Sequence, residues 1–539
     1  MKIKFTLIFA FFCLSSVFSQ KNNFNLDKIP EEKSIIHLND NIFLTDEKIY
    51  FKIYNTLKNN TLSPYSKITY IDIINSKNIS VLKRKIKLNK GTGYGDIFIP
   101  SSIETGGYKI ISYTNWMLNK GFYESDILII NPFSNKKNKS NIKNTKIKIV
   151  SNTNDNINKK QYSKRSLVRF LTNLKEKGNY SVSVKRVNNL NISEKSGLKN
   201  NNYINKKTNS FHLPELRGET ISGTINSKKD KVNDIKISLS IQGKQPITKI
   251  VTTNKTGEFN FNFNNLNGSK ATIHVLDTTT TYTIKLNSKL EKFNSSNFAS
   301  INIDSNIVNF IKEKSIYTQI ENSYNSVKKD TEVLHKHDNY IFTGNEKKYV
   351  LDDYKRFNTI NEVVIEIIKD VWLSKKNNQY NFHVRDLNLS TNSAIPTLLI
   401  VDGLIVYNHN NLIGFDAKQV KSISVVREKY VFGNTLYQGI LIFNTFKNNY
   451  NLDSKNTKTI DLLKPEVEKK YFFQKHNTPE LTKRVPDYRT QLYWNPNISS
   501  VTKEITFYTS DVTGEFEIEI QGITDQGKNI QIKNTFTVK

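Results

Sequence analysis

Short runs of alternating apolar and polar residues are what most constrain this chain. "KIYFKIYN" (Lys48–Asn55), "KITYIDII" (Lys67–Ile74), "GDIFIP" (Gly95–Pro100), "GYKIISYT" (Gly107–Thr114) and "DILIINPF" (Asp126–Phe133) follow one another between turn residues. Successive side chains of an extended strand point to opposite faces, so each run has one face to bury. A helix would need its apolar residues three and four apart. Short strands, frequent turns and few helical windows predict a β-sandwich over residues 25–133.

With 539 residues there is room for several cores. The first residues, MKIKFTLIFAFFCLSSVFSQ, set Lys2 and Lys4 before the apolar run Phe5 to Phe12. Val17 and Ser19 are small enough for the −3 and −1 positions of a cleavage site. Residues 1–19 therefore read as a secretory signal peptide, too short in its apolar run to span a membrane. Cys13 is the single cysteine, and Phe11 and Phe12 stand where a lipoprotein needs a small residue. The expected mature chain has no thiol, which excludes disulfides, cysteine nucleophiles and cysteine-based zinc sites. It is expected to be exported, in the periplasm or associated with the outer membrane, not a lipoprotein, and stable through its cores alone. No later segment reaches the roughly 18 apolar residues of a membrane-spanning helix.

Lysine and arginine number 79 against 49 acidic residues, a formal charge of +30. An acidic polymer or headgroup partner is one reading of that excess. The lysines are scattered among asparagines with few aromatic-basic clusters, so compositional bias is favoured and no nucleic-acid partner is expected.

Polar Lys/Asn/Ser stretches at 134–145 and 193–212 divide the chain. Between them, 146–192 reads as a short β unit containing "KKQYSKRSLVRFLTN" and "GNYSVSVKRV". A further sandwich is expected over 213–287, opening "LPELRGETISGTI", with a turn at Asn254–Gly257 into alternating Phe259, Phe261 and Phe263. From Lys289 to Lys347 no element stands out. Over 348–448 a small α/β domain is expected. Its "TINEVVIEIIKDV" (Thr359–Val371) has capping-box spacing at Thr359 and Glu362 and an apolar stripe at Ile360, Val363, Val364, Ile367, Ile368 and Val371. "PTLLIVDGLIVYN" follows, two apolar runs around Asp402-Gly403, a strong hairpin signal. Residues 480–539 hold paired strands around Thr513-Gly514, which either complete a sandwich or edge-pair with an earlier unit.

These pieces carry resemblances. "LTDEKIYFKIYN" with "GDIFIPSSIETGGYKIISYT" resembles the second macroglobulin domain of the α2-macroglobulin superfamily, and 146–192 resembles a shorter unit of the same kind. "DYRTQLYWNPNI" to "ITFYTSDVTGEFEIEIQGIT" resembles another strand-rich region of those proteins. "VTTNKTGEFNFNF" resembles the carboxypeptidase-regulatory-like sandwich, a spacer or interaction module. Val401-Asp402-Gly403, Ile423 to Val426, Phe432-Gly433 and Gly439 to Ile442 resemble the plug of TonB-dependent outer-membrane receptors. Roughly 90 residues follow Phe446, whereas a receptor barrel of about 22 strands needs several hundred. The order of the pieces is similar to multi-domain envelope proteins of Bacteroidota. The fold class that follows is mostly β: tandem Ig-like or macroglobulin-like β-sandwiches plus one small α/β plug-like domain.

Catalytic chemistry is not evident. The thioester of α2-macroglobulins needs a cysteine that is missing after position 13. "KGTGYGD" (Lys90–Asp96) leads into a strand rather than a helix, so a turn is favoured over a phosphate loop. His335 and His337 read as surface histidines, and Asp352 and Asp353 as a salt-bridging turn beside Lys355 and Arg356. No catalytic, metal or cofactor site is expected. Tyr430, Phe432, Gly433 and Tyr437 in "YVFGNTLYQ" are candidates for a partner-binding loop, with packing on their own sheet as the competing reading. The function expected is a non-enzymatic envelope scaffold or accessory subunit of an outer-membrane machine, with an outer-membrane or periplasmic protein partner. The alternative is a basic module binding an acidic polymer or small ligand.

Overall fold

The structure is a computed structural model. It describes residues 29–134, 159–188, 202–205, 212–228, 231–243, 246–264, 268–277, 279–287, 293–299, 305–333, 345–387, 395–452, 455–476 and 485–539. The signal-peptide and histidine-pair readings (1–19; His335, His337) lie outside these residues.

Tandem β-sandwiches dominate. In the first, Lys48–Leu57 pairs with Glu32–Leu38 and Thr92–Phe98. The facing sheet runs Asn202–Asn205, Gly121–Ile130, Gly106–Tyr113, Ile68–Ile74, Ser80–Lys87, with Ile42–Leu44 alongside Gly121–Ile130. Ile49, Phe51 and Ile53 from one sheet meet Ile71, Ile73, Ile110 and Ile127 from the other, as the alternation predicts.

The second sandwich unites the pieces at 146–192 and 480–539, the pairing with an earlier unit that the C-terminal strands left open. Its main sheet runs Gln491–Ile498, Gly178–Arg186, Gly514–Thr524, Asn529–Val538, Gln161–Tyr162, and Leu167–Leu171 pairs with Glu504–Tyr508. The reason is burial. Tyr180, Val182 and Val184 need a full sheet and a facing layer that the short first piece cannot complete: Phe516 and Phe536 extend the sheet, and Ile505 and Phe507 join Val168 and Phe170 in the facing layer. Between these two halves the chain builds the third sandwich, the long helix and the mixed body.

In the third sandwich Glu219–Ser227 lies between Glu258–Phe263 and Tyr282–Leu286. Lys236–Ile241 lies between Ile247–Thr252 and Lys270–Val275, and Thr457–Asp461 returns to the edge of that sheet. Phe259, Phe261 and Phe263 all point into its core. The preceding turn closes where expected, with Gly257 at φ 76° and its N–H on the Asn254 carbonyl.

A mixed body follows. Its sheet runs Glu346–Val350, Val420–Phe432, Thr435–Thr445, Leu398–Val401, Leu404–Ile405. The helix expected over 359–371 is only Ile360–Glu366. Its capping box forms as predicted, and Ile360, Val363, Val364 and Ile368 are buried. Asp370 then turns the chain at φ 67°, and Val371–Lys376 is a strand paired with Gln379–Val384. Eight β-branched residues between Thr359 and Val371 favour that outcome.

The longest helix among the described residues, Ser305–Ser323, lies where no element was expected. It has little apolar face. Ile311 packs on Ile42, Leu44, Leu128 and Ile130 of the first sandwich, and ion pairs hold the rest: Lys314 to Glu47 at 2.9 Å and Arg186 to Glu313 at 3.0 Å. Among the described residues no helix is long and apolar enough to cross a membrane.

Candidate functional site

The Asp402-Gly403 hairpin is an internal clamp. Leu398–Val401 and Leu404–Ile405 pair across it, with φ 49° at Asp402 and 86° at Gly403, the left-handed pair that such a tight turn requires. Gly403 meets the third sandwich: Thr248 donates to its carbonyl, and a Cβ there would stand 2.4 Å from Pro246. Asp402 is 1% exposed. Its carboxylate accepts from Thr445 N at 2.7 Å, Thr445 Oγ1 at 2.6 Å and Tyr450 N at 3.0 Å. Asp402→Ala leaves those donors buried without an acceptor, and is expected to cost about 2–4 kcal/mol. Hydrogen exchange at the Thr445 and Tyr450 amides should accelerate accordingly; unchanged protection there would refute the clamp.

The candidate partner loop is the tip of the long hairpin Val420–Phe432 and Thr435–Thr445, turning at Gly433 and Asn434. Tyr437 is buried, and Tyr430 and Phe432 are half-buried, in a cluster that takes in Ile250 and Leu276 of the third sandwich. A Cβ on Gly433 would stand 2.4 Å from Ile250. The structure thus brings Tyr430, Phe432, Gly433 and Tyr437 together, but against this chain's own neighbouring module. The apolar residues that the tip does expose are Val431, at 66%, and Leu436, at 43%.

"LPELRGE" is a clasp between modules. Glu215 accepts from Tyr70 Oη at 3.1 Å and from Thr220 N at 2.9 Å, and its own carbonyl accepts from Lys67 N. Glu219 forms a buried ion pair with Lys85. Tyr70, Lys67 and Lys85 all belong to the first sandwich.

A cleft of about 200 Å³ lies where the first sandwich, the second sandwich, the long helix and the segment at Tyr471–Phe472 meet. Aromatic rings form much of its wall. Tyr50 stands edge-on to Tyr471 at 5.0 Å and stacks on Trp494 at 6.1 Å; Tyr488 stacks on Tyr317 at 5.1 Å. Burial, then the nearby Asp330 and Asp96, pushes the Tyr50 phenol up; burial does the same to Tyr471. Both are neutral at ordinary pH. Lys185 is pulled down by burial, but Asp40, Glu519 and Glu517 outweigh that and hold it charged.

Sequence reasoning had touched two strands of this cleft, "KIYFKIYN" and "LYWNP", without bringing them together. The alternation at Tyr50 and the Tyr493-Trp494 pair were the available signals.

Among the described residues no group of three His, Cys, Asp or Glu could hold a metal ion. Asp352 is bonded to Arg356 in the salt-bridging turn expected of it. "KGTGYGD" is a turn at Gly91, φ 78°, into the strand Thr92–Phe98.

No family model matches this chain, and no curated protein does. Solved structures do, at low scores. Salmonella alpha-2-macroglobulin reacted with methylamine aligns at 7% identity over 94% of this chain and 39% of its own, with a TM-score of 0.24. Escherichia coli alpha-2-macroglobulin activated by porcine elastase aligns at 8% over 94% and 53%, TM-score 0.17. A tetra-tandem repeat from the extending region of a large adhesion protein aligns at 7% over 94% and 100%, TM-score 0.13. These likenesses assign no family. The chain spans about two fifths of the length of the Salmonella protein.

Proposed function

We propose that this chain is a non-enzymatic, exported cell-envelope protein that works by binding, as a scaffold or as an accessory subunit of an outer-membrane machine for transport or secretion. The observation that carries this reading is the closure of the second sandwich by strands from 161–186 and from 491–538. The third sandwich and the mixed body are thereby held inside a closed loop, clasped to the first sandwich through Glu215 and Glu219 and to each other through Gly403 and Tyr437. Such interlocking fixes the relative positions of surfaces on separate modules, which is what a scaffold supplies to its partners. A fold of this kind hosts many functions, so the reading rests on the clasps rather than on the fold class.

Cross-linking in intact cells, followed by capture of the mature protein and mass spectrometry, tests it. One envelope protein recovered in stoichiometric amount is the expected result. Recovery of none removes the scaffold reading. Capture of an acidic polymer that moderate salt releases would favour the basic-module alternative instead.

A further inference from the structure

We propose that the cleft between the first sandwich, the strand Gln491–Ile498 and the long helix binds an uncharged carbohydrate. This goes beyond the scaffold reading and does not depend on it.

The first argument is the surface. Tyr50, Tyr471, Tyr488 and Tyr493 line the cleft half-exposed, and Phe472 stands at it 37% exposed. A sugar ring has an apolar C–H face that packs on such rings and a rim of hydroxyls that each need a donor and an acceptor. Amide side chains offer both, and Asn325 is on the lining beside Asn188 and Asn322, whose Nδ2 groups donate to Asp40 and to the Asp46 carbonyl and whose oxygens remain acceptors.

The second argument is charge. Six cations line the cleft, and each has a carboxylate partner: Lys48 with Asp330, Lys185 with Asp40, Arg186 with Glu313, Lys314 with Glu47, Lys328 with Glu321 and Arg489 with Asp487. An anionic ligand would have to break these pairs, whereas a neutral one leaves them in place.

The third argument excludes an added peptide strand. Gln491–Ile498 is the edge of its sheet, but side chains already occupy its carbonyls. Gln491 Nε2 donates to Tyr493 O at 2.8 Å, and Lys52 Nζ to Pro496 O at 2.5 Å. An edge capped in this way resists strand addition.

Two donors in the wall also lack acceptors. Trp494 Nε1, on a residue 6% exposed, and Tyr471 Oη are buried with no hydrogen-bond partner among the described residues. Buried donors are normally satisfied, and a sugar oxygen drawn in by a small side-chain shift would satisfy them.

The test is calorimetric titration of the full mature protein with maltotetraose, cellotetraose, xylotetraose and chitotetraose, at about 50 and 500 mM salt. At least one should bind saturably, with the same affinity at both salt levels. Phe472→Ala, at an exposed position, and Trp494→Phe, which keeps a ring and removes the N–H, should each weaken binding about tenfold or more. Circular dichroism should show both variants folded. Binding of none of the four, or unchanged affinity in both variants, overturns the proposal, as does salt-sensitive preference for heparin or tighter binding of unstructured peptides. Because the purified protein is used alone, failure here is separate from failure to capture a partner in cells.

Discussion

Replacing Glu32 with alanine is expected to destabilise the first sandwich by about 4–6 kcal/mol, a large share of what holds any single domain folded. Glu32 is buried at the start of its strand, and five donors converge on its carboxylate. Asn55 Nδ2 reaches Oε1 at 2.9 Å, Ser63 Oγ at 2.5 Å and Ser66 N at 3.1 Å. Ser66 Oγ reaches Oε2 at 2.5 Å and Thr114 Oγ1 at 2.9 Å. One carboxylate therefore ties together the strand it stands on, the loop at Ser63–Ser66 and the end of the strand Gly106–Tyr113 on the opposite sheet. Alanine removes every acceptor at once. The hydroxyls can turn elsewhere, but the amide N–H and the asparagine NH₂ cannot, and each buried orphan costs about 1–3 kcal/mol. Glu32→Gln keeps one acceptor oxygen and should lose about half as much. Thermal unfolding, read beside hydrogen exchange of the Ser66 amide, measures the effect. An alanine variant melting within about 2 °C of the parent would show that the cluster does not hold the sandwich.

Such clusters mark the boundary of what the sequence discloses. The strands are legible because their physics is local: Ile49, Phe51 and Ile53 alternate with Tyr50, Lys52 and Tyr54, and only one of the two sets can form the core of a sandwich. The capping box and the Asp402-Gly403 turn are legible for the same reason, each lying within a few residues. The other face of the same strand is not. Tyr50, Lys52 and Tyr54 read as a solvent face, yet Tyr54 Oη bonds Ser181 Oγ at 2.9 Å and Gln521 O at 3.0 Å, both on the second sandwich. Nothing near Tyr54 in sequence signals that contact. The discontinuous sandwich was hidden in the same way, since its halves are separated by two other modules. The helix Ser305–Ser323 was hidden by its polarity: ion pairs rather than an apolar stripe seat it. The candidate cleft lies where these three long-range facts meet, which is why motif reading pointed to the loop at Phe432 instead.

The interface on that second face should make stability depend on pH through Lys52. Its side chain is completely buried between the two sandwiches. Nζ donates to Pro496 O at 2.5 Å, Asn497 Oδ1 at 3.3 Å and Tyr180 O at 3.4 Å, and lies over the Tyr54 ring. These are neutral acceptors, so little offsets the loss of water around the ammonium. Burial accordingly lowers the amine from 10.5 to about 7. The neighbouring His37 is pushed down to about 4, chiefly by burial, and is neutral throughout the window that matters. Between pH 7 and 10.5 the unfolded chain holds a proton on Lys52 that the folded chain has released, so stability rises with pH across that range. Below pH 7 both states are protonated and the full penalty applies, on the order of 5 kcal/mol. Lys52→Met removes the titration. Its stability relative to the parent, from urea unfolding at matched pH, should be most favourable near neutrality and fall by about 4 kcal/mol towards pH 10. The lost bond to Pro496 O shifts the whole difference by about 1 kcal/mol without altering its slope. A difference that stays flat with pH would mean that Lys52 keeps an ordinary proton affinity, and the two sandwiches would then have to admit water at their junction.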